Sequence, residues 1–171
     1  SKPQAFALPA TARIHTVAST TVIESPNIVA ELKGSDASLR DQYVAYTAHV
    51  DHLGICPAVE GDNVCHGALD NASGTASLLE IARAYASLPK PPRRSVLFVF
   101  VTGEEMGLLG SDYFAHYPSV PLKSIVANVN IDGAPGAYFP MKDVVVLGSE
   151  HSSLSNEVNS AAKALSYDLS P

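Results

Sequence analysis

From Val96 to Val101 the chain reads Val-Leu-Phe-Val-Phe-Val, with no polar position. A β-strand sends successive side chains to opposite faces. A strand of this composition therefore needs apolar cover on both faces, which is the position of a central strand in a layered α/β domain. The rest of the chain offers the layers. "YVAYTAHV" (43–50), "SIVANVNI" (124–131) and "DVVVLG" (143–148) read as further strands. Between them apolar residues recur at helical spacing. Leu78, Ile81, Tyr85 and Leu88 mark a helix over 72–88, with Ser73 as its N-cap and Pro89 as its stop. Met106, Leu109, Tyr113 and Tyr117 lie along one side of a helix over 106–117, and Leu154, Val158, Ala161 and Leu165 along one over 152–165. Two β-branched runs, 12–24 and 27–32, predict a hairpin or meander of antiparallel edge strands. Residues 52–69 read as a long loop. The order predicts an α/β fold, a three-layer αβα sandwich with a mixed, mostly parallel central sheet.

The 171 residues amount to one domain. A net charge of −6 argues against nucleic acid or an anionic membrane surface as partner. No apolar run reaches the ~18 residues of a membrane span. Residues 1–10, "SKPQAFALPA", read as a linker or a cut edge, and 11–171 as the domain; the abrupt "YDLSP" at the other end suggests a piece of a longer protein. Cys56 and Cys65 are the two cysteines. They lie around a Gly/Pro loop and either pair in an oxidising compartment or stay thiols. No second cysteine pair exists to complete a Cys-type zinc site.

Acidic residues and histidine follow the strands. His49, Asp51 and His52 follow the first core strand, Glu104-Glu105 the buried one, and Asp132-Gly133 the third; Asp70 opens the first helix. In open α/β sheets ligands bind beyond the carboxyl ends of the strands. Gathered there, Asp51, Asp70, Glu104, Glu105 and Asp132 would bring together five carboxylates, which cannot all stay ionised without a compensating cation. Histidine among carboxylates fits zinc rather than calcium or magnesium, and two zinc ions ~3.5–4 Å apart are a hydrolytic device. At a strand-to-helix turn two adjacent glutamates diverge, so one can bind metal while the other works as general base. Singly, each residue has a duller reading: a helix N-terminus for Glu104-Glu105, a cap for Asp70, an ordinary turn for Asp132-Gly133, a core imidazole for His49. It is their shared sheet edge that favours a site.

Four motifs in order, "AHVDHLG", "GALDNASGTASLLEIAR", "FVTGEEMGLLGS" and "NVNIDG", resemble the di-zinc aminopeptidases of metallopeptidase family 28, over about Pro26 to Leu165. The resemblance implies Asp70 as the carboxylate bridging two zinc ions, His49 and Asp132 as ligands of one, Glu105 as ligand of the other and Glu104 as general base. It implies Asp51 as the carboxylate that orients His49, a cis bond at Asp70-Asn71, and a peptide substrate. It also implies a protease-associated domain ahead of 27–32 and a parent outside the cytoplasm, secreted or periplasmic. The family's last ligand is a histidine far downstream. His151 stands too early for it, and His52, His66 and His116 read as loop or surface histidines. The expectation is therefore that these 171 residues bind zinc partially and hydrolyse peptides weakly or not at all. Asn71-Ala72-Ser73 matches a glycosylation sequon but stands beside the site and reads as chance. Alternatives are acyl transfer of the glutaminyl-cyclase kind, from which "LDNASG" departs, and a non-catalytic domain of the same fold, which would not need an intact ligand set.

Overall fold

The computed structural model describes residue 6 and residues 8–134, 140–141 and 143–170. Most of the expected linker at 1–10 lies outside the described residues. A four-stranded sheet forms the centre, from β1 (Ile28–Leu32), β2 (Tyr43–His49), β5 (Ser95–Val101) and β6 (Ile125–Asn130) in the order β1-β5-β2-β6. β1 runs antiparallel to β5, while β5 and β6 both run parallel to β2. Every residue of β5 is buried, as its unbroken apolar run requires.

The alternation of β5 divides the core. Val96, Phe98 and Phe100 join Ala48 and Leu78 on the face covered by α1 (Gly74–Ala86), with Ile81 and Tyr85 packed alongside. Leu97, Val99 and Val101 join Ala45 on the opposite face, where Phe114 of α2 (Leu109–His116) packs. Helix, sheet and helix make the three layers. From β2 the chain crosses by α1 to β5 on one side. It then crosses by α2 to β6 on the other side of β2. The carboxyl end of β2 is thus a switch point, where an open α/β sheet leaves a crevice.

Several expectations are corrected. Residues 12–24 form no strand and are exposed, Val17 at 88%; β-branched composition makes a strand only where a ladder partner exists. The segment read as a loop at 52–69 contains a hairpin, β3 (Gly54–Val59) with β4 (Asp62–Cys65), fastened by a Cys56–Cys65 disulfide with Cα atoms 5.8 Å apart. β7 (Asp143–Val145) pairs in parallel with β8 (Asp168–Ser170) in a separate two-stranded sheet, not with the central one. Helix α2 begins at Leu109 rather than 106, because Gly107 and Leu108 both adopt positive φ. Its stripe of Met106, Leu109, Tyr113 and Tyr117 is exposed, and Phe114 makes the core contact instead. On α3 (Leu154–Ala164) the buried residue is Ala162, and Leu165 is exposed.

Candidate metal centre

Three strand exits and one helix entry meet at the switch point. The ends of β2 and β5 are zipped past the last ladder residue: Val50 N–H donates to the Val101 carbonyl at 2.9 Å, and Glu104 N–H donates to Asp51 Oδ1 at 3.4 Å. Gly103 takes positive φ, and the turn is closed by the Gly107 and Leu108 N–H groups on the Glu104 carbonyl. Here Gly103 does need the freedom that glycine has. On the other side of β2, Ile131 N–H donates to the Thr47 carbonyl at 2.9 Å, carrying β6 onward into Asp132.

The Asp70 loop is held by Asn71. Its buried amide donates to the Ile131 carbonyl at 2.9 Å and accepts the N–H groups of Gly74 at 2.9 Å and Gly133 at 3.1 Å. Asn71, not Ser73, therefore caps α1. The Ser73 hydroxyl instead donates to the Leu69 carbonyl at 2.6 Å and accepts the Ala134 N–H at 2.7 Å. The Asp70–Asn71 peptide bond is cis. Asn71 is 2% exposed with all its side-chain polar atoms engaged, so the sequon it heads is inaccessible to a glycan in this fold.

His49 is buried. Its Nδ1 lies 3.0 Å from the Asp51 carbonyl, and a carbonyl only accepts, so Nδ1 carries the proton. Nε2 then faces Asp70 Oδ1 at 3.0 Å and Asp132 Oδ1 at 3.3 Å. A neutral nitrogen lone pair directed at two carboxylate oxygens is repelled unless a proton or a metal ion lies between them. Burial alone would lower the His49 pKa, but the Asp51 carbonyl, Asp132 and Glu104 outweigh it and hold it above the ordinary value. The Asp51 carboxylate, expected to orient His49, stands 3.8 Å from Nδ1; the main-chain carbonyl of the same residue makes the closer contact.

Ligand-type atoms converge in two groups, His49 with Asp70 and Asp132, and His52 with Asp70 and Glu105, each within 4.8 Å. Asp70 is common to both. The donor sets mix imidazole and carboxylate, the chemistry zinc takes. Glu104 belongs to neither group and lines an adjoining cavity of about 430 Å³ with His49 and Asp132, walled by Ala45, Val101, Phe114 and Ile125.

His52 is the residue that the sequence reading set aside and the structure brings in. Its Nδ1 lies 2.6 Å from Glu105 Oε1, and both residues are largely buried. His66 and His116 lie at the surface, as expected, and His151 lies there too. His151 contacts the carboxylate of Glu150 at 3.3 Å and belongs to neither group. The i, i+3 spacing of His49 and His52 was the available signal for His52. It became informative only once the exit of β5 placed Glu105 opposite.

The chain is 37% identical over 113 residues to aminopeptidase NAALADL1 of Mus musculus, a match covering 63% of this chain and 13% of that protein. Its fold matches BSAP, a zinc aminopeptidase from Bacillus subtilis, with TM-score 0.64 and 28% identity over 84% of this chain and 33% of that one. It also matches a Peptidase M28 precursor from Shewanella amazonensis, with TM-score 0.61 and 28% identity over 84% of this chain and 29% of that one. The chain thus spans a third or less of each of these relatives. The family model described as Peptidase family M28 matches residues 27–171, taking in all four motifs and every strand and helix around the site, and the chain belongs to that family.

Proposed function

We propose that this chain carries the metal centre of a zinc-dependent aminopeptidase, which removes N-terminal residues from peptides at two zinc ions sharing Asp70. The observation that carries the reading is the presence of Asp70 in both convergent groups. The activity named for the mouse and Bacillus relatives supports it.

The residues divide the work by position. His49 and Asp132 would hold one ion and Glu105 the other, with Asp70 between. Bound zinc would polarise the scissile carbonyl and acidify the attacking water. Glu104 lines the cavity beside His49 and Asp132 and is committed to no ligand group. It takes the proton of the attacking water and returns it to the leaving amine. Asp51 positions both partners: its carbonyl fixes the tautomer of His49, and its carboxylate accepts the N–H of Glu104. The apolar part of the cavity suits a hydrophobic substrate side chain. The disulfide favours a location outside the cytoplasm, secreted or periplasmic.

Zinc-loaded protein should cleave leucine p-nitroanilide and leave the N-acetylated compound intact, with activity lost to a chelator and restored by zinc. Equal cleavage of the acetylated compound would overturn the aminopeptidase assignment. Activity indifferent to chelation would overturn the zinc assignment.

A further inference from the structure

We propose that His52 is a metal ligand through Nδ1, so that this chain by itself presents three protein ligands to each of two metal positions: His49, Asp70 and Asp132 for one, His52, Asp70 and Glu105 for the other. The inference rests on the metallopeptidase reading and adds a residue to it.

The contact between His52 and Glu105 is not an ordinary hydrogen bond. The two atoms are 2.6 Å apart, yet they lack hydrogen-bond alignment, and each is a buried side-chain atom with no other hydrogen-bond partner. Leaving such atoms unsatisfied is costly, because burial has removed the water that would pair with them. With Asp70 the two atoms form a triangle of ligand-type atoms within 4.8 Å of one another; at 2.6 Å the pair is closer than two ligands of one zinc ion stand, so a cation entering the triangle would part them. A cation there would satisfy both atoms and offset the charge of Glu105 and Asp70.

Three exposed histidines show what a histidine without this role looks like here. His66, His116 and His151 are 71%, 68% and 80% exposed and contact carboxylates within four residues in sequence. His52 is 21% exposed and meets a carboxylate from a different strand exit. The backbone is fitted around it. A Cβ at Gly67 would lie 2.8 Å from His52 Cβ and 2.9 Å from the Asp70 carbonyl oxygen, closer than real atoms pack. The Asp70 loop thus approaches the imidazole as closely as glycine permits. The β3–β4 hairpin, closed by Cys56–Cys65, spans the interval between His52 and Gly67 and returns the chain to this contact.

The test is zinc binding by the metal-free chain, read by calorimetry and elemental analysis, with cobalt absorption as a spectroscopic report of the ligand set. Wild type should take two zinc ions. His52→Ala and the bulkier His52→Gln should lose one, or bind it at least tenfold more weakly, with a changed cobalt spectrum; His66→Ala should match wild type. In wild type, the His52 Nδ1 resonance should shift on zinc addition, which tests the assignment even if both His52 variants misfold. If the His52 variants keep wild-type stoichiometry and affinity, or Nδ1 does not respond, the His52 assignment is overturned while the metal reading stands. If wild type binds no zinc, both fall.

Discussion

Asn71 and Gly133 join the two loops that carry the site's aspartates: the Asn71 amide oxygen accepts the Gly133 N–H at 3.1 Å. That same oxygen caps α1 through Gly74, and the amide nitrogen donates to Ile131. One buried side chain thus sets the distance between Asp70 and Asp132. Asn71→Ala leaves two N–H groups and one carbonyl without their partner. The expected cost is about 2–4 kcal/mol in denaturant unfolding, scaled from about 1–3 kcal/mol per unsatisfied buried group with partial relief by water. Zinc affinity should fall about 10–100-fold, as when a ligand's supporting partner is removed. Asn71→Asp keeps the acceptor and should recover part of both.

Gly110 sits where α2 meets the end of β5. A Cβ there would overlap the Thr102 carbonyl oxygen and Asn27 Oδ1. The Asn27 side chain at this point donates to the Gly110 carbonyl at 2.7 Å and accepts the Thr102 N–H at 3.1 Å. Gly110→Ala should therefore destabilise by about 1–3 kcal/mol, the range for overpacking. Because the displaced helix follows the Glu104-Glu105 turn, zinc affinity should fall too. Unchanged thermal unfolding would mean that the helix shifts without resistance.

Asp36 lies in the β1–β2 connection. Its carboxyl is held down at about 2 by the Ser38 hydroxyl and N–H first, with Arg93 behind them. The folded value is depressed below an unfolded value of about 3.9. Its contribution to stability is therefore present above the unfolded pKa and is lost as pH falls from about 4 through about 2. An NMR titration should give about 2 in wild type. Ser38→Ala should raise the value more than Arg93→Ala, since an exposed ion pair is screened by water.

Most of the scaffold was legible from periodicity. The uninterrupted apolar stretch at Val96–Val101 has one solution, and α1 carried both a helical stripe and a proline stop. The misreadings share a cause, because each depended on a partner that local pattern does not name. Residues 12–24 look like strands but find no ladder. The β3–β4 hairpin is short, contains Pro57, and owes its closure to a disulfide that spacing alone left open. The exposed stripe on α2 is apolar, yet Phe114, one position beyond Tyr113, faces the sheet. In the site, His49, Asp70, Glu105 and Asp132 could be singled out as ligands through the family resemblance of the motifs that the strand exits bring to one crevice. His52 could not, because its neighbour Glu105 lies 53 positions further along the chain.

The Cys56–Cys65 bridge should matter to stability and to the site together. In the chain-entropy picture a loop of this size gives about 2–3 kcal/mol. Reduction, or Cys56→Ser with Cys65→Ser, should lower the unfolding free energy by about that much. Since the hairpin lies between His52 and Gly67, the proposed zinc position at His52 and Glu105 should weaken more than the proposed one at His49 and Asp132. Equal weakening of both would show that the bridge acts on global stability alone.

In the proposed mechanism Glu104 separates metal binding from chemistry. It stands in neither ligand group, so Glu104→Gln should retain wild-type zinc stoichiometry, whereas Glu105→Gln should lose affinity at the position it shares with Asp70. Loss of a general base costs about 10²–10⁴-fold, and the fall should appear in kcat with KM little changed, because the amide fills the same space in the cavity. If Glu104→Gln instead loses zinc along with activity, Glu104 is a ligand and the base must be sought elsewhere. If it keeps both, the proton is handled by a different group, with Asp51 the nearest candidate through its contact with the Glu104 backbone.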